Sequence, residues 1–505
     1  MMESLKLLQH ELQGLEKKIT QASSNRKKLI SSLHTSQQKS GINLIQYLAL
    51  RNEDIRPLQD NLHQAGLSSL ASSESHILKQ VQSIRQRLGA TLKAKDISHF
   101  DYYSAQNALN RYTTDLFGFK KDPSIPHIMV TLDVSFENNI SLIRKLIEAG
   151  MNVARINCAH GDEENWLALI DAVQNAAEKS GSACKIYMDI AGPKMRVDLP
   201  GKGKGEGKLK VKLGMEILLV EPGEEVKHTQ NAIACYELGV FTCLKEGERI
   251  IIDDGKFEGI VIKKNGRHYL KITKISSKKP FIKTEKGLNL PDTQINLPAL
   301  TKADLKSIPF IAKHADLVGC SFLRNTNDLK LIKTIFKKYK KKPKLILKIE
   351  TPDAVINLPS LLLEAMKDAS YGVMIARGDL AVEIGFERLS EIQDEILWIC
   401  EAAHAPVIWA TQVLETYSKS GIATRSEVTD AAHAAKAECV MLNKGDYIVD
   451  TIKLLKRILH KSGSHRHKKR YSMRPLNIAA HFFNQSSFAK NMVQVDNFFD
   501  SAVKV

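Results

Sequence analysis

Short apolar runs alternate with amphipathic stretches along most of the chain after residue 126. The runs are HIMVTLD, NVARINC, ACKIYMDI, ADLVGCSF, PKLILKIE, YGVMIAR, PVIWAT and ECVMLN. Each has the length and the β-branched content of a buried strand, and helical patterns such as ENNISLIRKLIEAG and LSEIQDEILWICEAA lie between them. Eight strands that alternate with helices predict the α/β class and, within it, a (β/α)8 TIM barrel.

The alternation stops after the third predicted strand, from about residue 198 to residue 285. In this stretch GKGKGEGKLKVKLGMEILLV, ERIIIDDGKFEGIVIKK and HYLKITKI are typical of short strands joined by Gly and Asp-Gly turns. The pattern predicts a small β-barrel domain inserted in a loop of the larger barrel. An insertion at the carboxyl face of that barrel would act as a lid.

Before residue 123 the apolar residues recur at helical spacing. A short heptad stripe consists of Leu5, Leu8, Leu12, Leu15 and Ile19. The stripe weakens at Ala22 and Arg26, so it predicts a helical hairpin or a modest coiled coil. We expect an all-helical extension that carries no catalytic motif.

These patterns divide the chain into five segments. They are the helical extension (1–122), the first part of the barrel (123–197), the lid (198–285), the second part of the barrel (286–461) and a basic C-terminal tail (462–505). The basic run HKSGSHRHKKR at the tail has no interleaved aromatic residues, so a solvated tail is expected and nucleic acid is not an expected partner.

Composition limits the classes of function. The formal net charge is +17, but the lysines are dispersed, which favours a basic solvated surface and leaves small anionic substrates open. The seven cysteines lie far apart without metal-ligand spacing and are typical of reduced thiols. The amino terminus does not resemble a signal peptide and no apolar run is long enough to span a bilayer, so we expect a cytoplasmic protein.

Charged residues follow two of the predicted strands at the point where each strand ends. LILKIETPDAV contains Lys348 and Glu350, and GVMIARGDLAVEI contains Arg377 and Asp379. Because catalytic residues of such barrels lie at the carboxyl ends of strands, two carboxylates there could hold one Mg²⁺, and Lys348 could meet an anion on the metal. Either stretch alone could equally supply only salt bridges.

Other strand ends add polar groups to the same mouth. They are Arg155 and Asn157 after the second strand, Asp189, Lys194 and Arg196 after the third, and Thr411 and Gln412 after the seventh. The set suits a polyanion bound to a divalent metal, because phosphoryl transfer depends on positioning and charge neutralisation more than on covalent chemistry.

Seven longer motifs resemble the pyruvate kinase family. They are GMNVARINCAHG, MDIAGPKMRV, GLNLPDTQINLPALT, LILKIETPDAV, IARGDLAVEI, WATQVLE and TRSEVTDAA, which occur in the family's order over roughly residues 125–460. The resemblance implies a phosphotransferase that converts phosphoenolpyruvate and ADP to pyruvate and ATP. It also implies that Glu350 and Asp379 bind Mg²⁺ (or Mn²⁺) and that Lys348 stabilises charge on the phosphoryl group and the enolate.

The resemblance assigns further residues by position. Arg155 would contact the phosphoryl group, Arg196 would support it, and Thr411 would lie near the carbon that is reprotonated. Asn157, Arg377 and Gly378 would complete the substrate-binding set.

Two departures from the family concern potassium. Members that need K⁺ carry a serine where this chain has Ala159 and a glutamate where it has Lys194. A lysine ammonium at that place, with Asp189 as its counter-charge, would supply the positive charge of the missing ion, so K⁺ is not expected to be required. The alternative is that Lys194 merely pairs with Asp189.

Other departures concern the nucleotide. The first strand ends in Asp133 and Val134 where the family has a Gly-Pro turn, which adds a carboxylate that would repel ADP phosphates. After the eighth strand Asn443, Lys444 and Gly445 replace the family's Ser-Gly-Glu-Thr run. The nucleotide preference therefore stays open.

In the family a C-terminal domain binds sugar-phosphate effectors and builds the tetramer, and because only some 45 residues follow His460 we do not expect that domain here. We expect a homo-oligomer formed through the barrel or the N-terminal helices. The alternative function is that of a degenerate homologue that acts as a binding or regulatory interaction module.

Overall fold

The computed structural model describes residues 2–201, 204–237, 239–293, 295, 297–463 and 477–484. The described residues before the first strand form six α-helices. They are α1 (Met2–Ser24), α2 (Lys27–Ser31), α3 (Gln38–Arg51), α4 (Arg56–Gln64), α5 (Ile77–Arg87) and α6 (Tyr102–Phe117). Most of the basic run after residue 460 lies outside the described residues.

The heptad stripe of α1 is covered within the same chain. Leu8, Leu12, Leu15 and Ile19 are buried, and α1 packs against α3 and α5. The apolar periodicity thus marks an intramolecular helix interface. The stripe itself gives no support to a homo-oligomer, which stays a prediction.

The first part of the barrel contributes three strands and two helices. They are β1 (His127–Leu132), α7 (Ile140–Ala149), β2 (Met151–Asn157), α8 (Glu163–Ser180) and β3 (Lys185–Asp189). Local sequence fixes the ends of α8: Asp162 forms a capping box with Asn165, and Gly181 ends the helix in the left-handed conformation.

The inserted segment is built from short strands. They are β4 (Val197–Asp198), β5 (Lys208–Lys210), β6 (Glu216–Val220), β7 (Ala232–Cys235), β8 (Arg249–Ile252), β9 (Phe257–Lys264), β10 (Arg267–Ile275), β11 (Phe281–Lys283) and β12 (Leu288–Asn289). Seven of them form one sheet in the order β12-β8-β9-β10-β6-β7-β4, and β5 pairs with β11. Asn265 and Gly266, both with positive φ, turn β9 into β10, and Asn-Gly is a favoured pair for such a two-residue hairpin turn. The apolar side chains of this lid form a core of their own.

The second part of the barrel resumes the alternation. Its elements are α9 (Lys302–His314), β13 (Leu317–Cys320), α10 (Thr326–Phe336), β14 (Lys344–Ile349), α11 (Pro352–Ile356), α12 (Leu358–Ala365), β15 (Tyr371–Ala376), α13 (Arg377–Ile384), α14 (Leu389–Ala402), β16 (Val407–Ala410), α15 (Glu415–Ser420), α16 (Arg425–His433), β17 (Cys439–Leu442) and α17 (Ile448–Gly463). The eight strands β1, β2, β3 and β13 to β17 are parallel and close into a barrel, which confirms the predicted fold class.

The helical extension packs on the barrel at two places. Leu116 and Phe117, at the end of α6, share an apolar cluster with inward residues of the barrel strands, and Lys344 at the start of β14 donates to the carbonyl of Asp115 at 2.6 Å. They therefore close the amino end of the barrel. On the outside, His404 lies between the Ser40 hydroxyl, 3.0 Å from Nδ1, and the Ser75 carbonyl, 2.9 Å from Nε2.

Within the predicted tail the structure describes one helix, α18 (Asn477–Asn484), which packs against α3, α11 and α12. Ile478 and Phe482 are buried in this contact. No helix of the described part of the chain is both long and apolar enough to cross a membrane.

Candidate active site

Asp189, the last residue of β3, is the buried centre of the carboxyl mouth. It accepts hydrogen bonds on Oδ2 from Arg155 Nη2 at 2.6 Å and Nε at 3.1 Å, and on Oδ1 from the Tyr187 hydroxyl at 3.1 Å. Lys348 Nζ lies 3.3 Å from the same Oδ2. Burial alone would raise the pKa of Asp189, but the cations of Lys348 and Arg155 lower it below its ordinary value. The carboxylate stays charged.

Lys348 projects from β14 into the mouth between two carboxylates. Its Nζ lies 2.9 Å from Oε1 of Glu350 and donates to the Ser321 hydroxyl at 2.7 Å. Burial lowers the pKa of Lys348, but Asp189 and Glu350 together raise it above its ordinary value. A charged ammonium is thereby held in a fixed position with little exposure to water.

The two predicted metal ligands lie close enough to affect each other. Burial raises the pKa of Glu350, Lys348 opposes that rise, and the negative charge of Asp379 adds to it. Glu350 also accepts from the backbone N–H of Phe322 on Oε2 at 2.7 Å, which orients the carboxylate. A divalent cation between Glu350 and Asp379 would offset their repulsion, so the residues present fit the predicted metal.

The donor set limits which metal fits. Among the described residues no group of three or more His, Cys, Asp or Glu side chains is arranged to hold an ion. Mg²⁺ commonly takes one or two protein carboxylates and fills its remaining positions with water and substrate phosphate oxygens. The site therefore suits Mg²⁺ or Mn²⁺ better than a metal that needs a protein cage.

Lys194 forms an ion pair with Asp379 and not with Asp189, the partner considered from the sequence. Its Nζ donates to Oδ1 of Asp379 at 2.6 Å, and the alternative pair with Asp189 is not formed. The sequence could not decide between these partners, because Lys194 leaves the barrel after a Gly-Pro turn and its direction depends on the lid. A Cβ atom at Gly287, on the segment that returns from the lid, would lie 3.0 Å from Cε of Lys194.

The polar contacts of the Arg377 guanidinium are with neighbouring protein groups. Its Nε donates to the Ala410 carbonyl at 2.8 Å, its Nη2 donates to Oδ2 of Asp430 at 2.9 Å, and its guanidinium lies 4.5 Å from the centre of the Trp409 ring. The geometry gives Arg377 a positioning role at the end of β15. Asp430 was missed in the sequence, although it lies in the TRSEVTDAA motif.

Thr411 presents a free hydroxyl beside this arginine. Its Oγ1 is buried and has no hydrogen-bond partner among the described residues. The backbone of Thr411 is in the left-handed region with φ of 65°, which is strained for a β-branched residue and is typical of functional positions. A Cβ atom at Gly378 would lie 3.6 Å from Cγ2 of Thr411, so the backbone of α13 passes close by.

Two predicted site residues lie at the edge of the cluster. Arg196 is directed to the base of the lid, where its Nη1 donates to the Glu285 carbonyl at 2.8 Å. Asn157 lies level with Asp189 across β2 and β3, and its Oδ1 accepts from the backbone N–H of Ala159 at 3.2 Å.

Ser321 and Tyr187 also belong to the site, although neither was among the predicted residues. Ser321 follows β13 directly, and the strand-end rule that found Lys348 could have found it. Tyr187 lies two positions before Asp189 in β3, and because side chains alternate along a strand, this spacing places both on the same face and could have indicated their contact.

A model of the family described as "Pyruvate kinase, barrel domain" matches residues 126–452. The chain is also similar to three curated proteins named pyruvate kinase. The protein of Bacillus licheniformis is 32% identical over 358 residues, which cover 69% of this chain and 59% of the relative. That of Trypanoplasma borreli is 32% identical over 338 residues (66% and 65%), and that of Dictyostelium discoideum is 33% identical over 325 residues (62% and 62%). The chain spans about three fifths of the length of these relatives.

Proposed function

Because this chain belongs to the pyruvate kinase family, we propose that it transfers the phosphoryl group of phosphoenolpyruvate to ADP, which gives pyruvate and ATP. The observation that carries the proposal is the position of Lys348. Its ammonium is buried between the carboxylates of Asp189 and Glu350 at the carboxyl mouth. Burial raises the pKa of Glu350, and the negative charge of Asp379 adds to that rise, so Asp379 lies close to Glu350. A fixed cation beside two metal-type carboxylates is the arrangement that phosphoryl transfer requires.

Two cationic side chains would neutralise the negative charge of the substrate. Lys348, held by its two carboxylates, would lie against the phosphoryl group and the oxygen on which enolate charge develops. Arg155 donates a hydrogen bond from Nη1 to the Thr131 hydroxyl at 3.0 Å and another from Nη2 to Asp189. Its guanidinium is therefore oriented before any substrate binds. Preorganised donors of this kind lower the barrier because they need no reorganisation during the reaction. Arg196, at the base of the lid, would add its charge at the edge of the mouth.

Glu350 and Asp379 would hold Mg²⁺ or Mn²⁺. The ion, when bound, supplies charge neutralisation for the transferring phosphoryl group. The Phe322 N–H and Lys348 fix the Glu350 carboxylate, and the Lys194 ammonium fixes Oδ1 of Asp379. The protein thus positions both carboxylates by hydrogen bonds from neighbouring strand ends.

Thr411 would manage the proton at the end of the reaction. Its buried hydroxyl has no protein partner among the described residues, so it can bond to substrate or to a water that delivers a proton to the enolate carbon. The Arg377 guanidinium donates to the Thr411 carbonyl, and this contact holds the strained backbone in place.

Monovalent potassium should not be needed. Lys194 places an ammonium on Asp379 at the position where the family pattern has an acid, and Ala159 offers no hydroxyl to a K⁺ ion. We expect the same rate of pyruvate formation when Na⁺ replaces K⁺ at equal ionic strength. An absolute requirement for K⁺ in this exchange would sink the idea.

The test of the proposed function is pyruvate formation from phosphoenolpyruvate with Mg²⁺ and a panel of nucleoside diphosphates. The wild type should convert phosphoenolpyruvate to pyruvate, and Lys348→Met should abolish this turnover. Lys344→Met is the matched control, because Lys344 begins the same strand at the opposite end of the barrel and pairs with Asp115. Equal turnover in both variants would contradict the assigned role of Lys348.

The second candidate is a binding or regulatory module that retains the phosphoenolpyruvate side only. The observation in its favour is the Asp133 carboxylate at the end of β1, which is unfavourable for a nucleotide. Measurable binding of phosphoenolpyruvate without turnover on any nucleoside diphosphate would favour the module.

A further inference from the structure

An ion pair joins the ends of β1 and β17, which are neighbouring strands of the barrel. Lys444 Nζ donates to Oδ2 of Asp133, and the Thr131 hydroxyl donates to Oδ1 of Asn443 at 3.5 Å beside it. Asp133 and Lys444 both belong to segments that depart from the family pattern. Two departures that lie 311 residues apart in sequence therefore meet in one contact.

The surroundings of this ion pair are cationic. His160, after the end of β2, has its pKa lowered first by burial and then by the positive charges of Arg196, Lys444 and Arg155, whereas Asp133 acts in the opposite direction. These side chains share one corner of the mouth. Arg155 also belongs to the phosphoenolpyruvate side, so the corner adjoins the place of the transferring phosphoryl group.

Asp133 is the more firmly held member of the ion pair. Its Oδ1 caps the turn after β1 by accepting from the Ser135 backbone N–H at 3.2 Å and from the Ser135 hydroxyl at 2.6 Å. The Lys444 side chain is 57% exposed and that of Asp133 is 29% exposed. A long, exposed lysine can move to a new partner, while the capped carboxylate stays where it is.

A phosphate group that enters this corner competes with the Asp133 carboxylate for Lys444. Its oxygens are attracted to the cations, but a fixed carboxylate repels them and already occupies Lys444. Burial raises the pKa of Asp133, but Lys444 and Ser135 together lower it below its ordinary value, so this carboxylate is ionised at neutral pH.

We propose that Asp133 is a specificity-determining residue for the phosphoryl acceptor, which weakens binding of a nucleoside diphosphate because the diphosphate must displace the carboxylate from Lys444. The inference rests on the proposed function, since it names the acceptor side of that same site. Phosphoenolpyruvate, which would bind to Lys348 and Arg155, does not need this displacement.

The test is the affinity of the full-length protein for ADP with Mg²⁺, measured by titration calorimetry without phosphoenolpyruvate. Asp133→Asn keeps the side-chain size and an oxygen that can cap the turn, but it removes the charge. We expect it to bind ADP about twofold to fivefold more tightly than the wild type, which corresponds to the loss of one partly exposed charge pair. Phosphoenolpyruvate affinity should not change.

Asp446→Asn is the matched control, because it removes the same charge from an exposed residue two positions after Lys444. Lys444→Met should weaken ADP binding, and adding Asp133→Asn to it should give less gain than in the wild type. Equal or weaker ADP binding by Asp133→Asn, an equal gain in Asp446→Asn, or no detectable ADP binding by either the wild type or Asp133→Asn would overturn the proposal.

These outcomes are separable from failure of the proposed function. If no acceptor supports pyruvate formation but Asp133→Asn still binds ADP more tightly than the wild type and Asp446→Asn does not, the acceptor role of Asp133 stands without the reaction. Circular dichroism of each variant checks that a loss of affinity does not arise from misfolding.

Discussion

A Cβ atom at Gly319 in β13 would lie 2.0 Å from the hydroxyl oxygen of Tyr187 and 2.1 Å from Oδ1 of Asp189. The strand must therefore carry a glycine for the Tyr187–Asp189 hydrogen bond to form. We predict that Gly319→Ala destabilises the protein by about 1–3 kcal/mol, because the close-packed interior has no room for the methyl group. Urea unfolding measures the change, and activity should fall with it.

Gly14 provides the comparison for this substitution. It lies exposed in the interior of α1, and an added Cβ would meet no atom within 4 Å. Gly14→Ala should stabilise the protein by about 0.5–1 kcal/mol through helix propensity. A Gly319→Ala protein as stable as the wild type would contradict the packing described around Asp189.

At the scale of elements, α13 connects the site to the lid. It carries Asp379 at its start and Glu383 one turn later, and Asn289 of β12 donates to Oε1 of Glu383 at 2.6 Å. Burial raises the pKa of Glu383 to about 7, the Asn289 hydrogen bond opposes this rise, and Asp379 adds to it. The contact between lid and barrel therefore contains a carboxyl group that is protonated at mildly acidic pH.

The stability of the protein should consequently depend on pH through Glu383. The folded protein holds this proton more tightly than the unfolded chain, whose carboxyl titrates near its ordinary value. The resulting stabilisation is complete below the unfolded pKa and is lost as the pH rises through about 7. From about pH 4.5 to above pH 7 we expect the free energy of unfolding of the wild type to fall by roughly 3 kcal/mol relative to Glu383→Gln.

Glutamine keeps the acceptor for Asn289 and removes the titration, so the comparison isolates the carboxyl group. Urea unfolding of both proteins without divalent metal, near pH 5 and near pH 8, measures the difference. A constant difference between the two pH values would show that Glu383 is not buried at this contact.

How much the sequence predicts also differs between elements. The eight barrel strands were predictable because strands buried on both faces read as uninterrupted apolar runs that end in charge. The packing partner of α1 could not be predicted, because a heptad stripe has the same pattern whether it packs against helices of its own chain, here α3 and α5, or against another chain. The pair Lys194–Asp379 joins residues that follow non-adjacent strands, and no spacing in the sequence records that contact. A closed barrel does place the ends of its first and last strands side by side, but it does not predict that Asp133 and Lys444 form an ion pair there.

At the level of the whole molecule, the described apolar residues form a large core around the barrel, a smaller cluster inside the barrel that includes Phe117, and the core of the lid. One core runs continuously from Leu8 in α1 through the barrel to Phe482 in α18, whereas the lid has a separate core. The N-terminal helices and the barrel should therefore unfold together, and the lid should open independently.

Phe117 tests this division, because it closes the amino end of the barrel and belongs to the helical extension. Phe117→Ala should destabilise the common unit by about 3–5 kcal/mol. Hydrogen exchange followed by mass spectrometry should show lower protection of both α3 and β14 while β9 and β10 in the lid keep theirs. Loss of protection in the N-terminal helices alone would contradict a shared unit.

In the proposed reaction the carboxyl mouth transfers a phosphoryl group from phosphoenolpyruvate to a nucleoside diphosphate. Phosphorus NMR of the protein with phosphoenolpyruvate, Mg²⁺ and nucleoside diphosphates observes this transfer directly. We predict that the phosphoenolpyruvate signal decays as a nucleoside triphosphate γ-phosphate signal grows in equal amount, and that Lys348→Met shows neither change. Phosphoenolpyruvate that stays intact with every nucleoside diphosphate, or that yields only inorganic phosphate, would contradict this proposal.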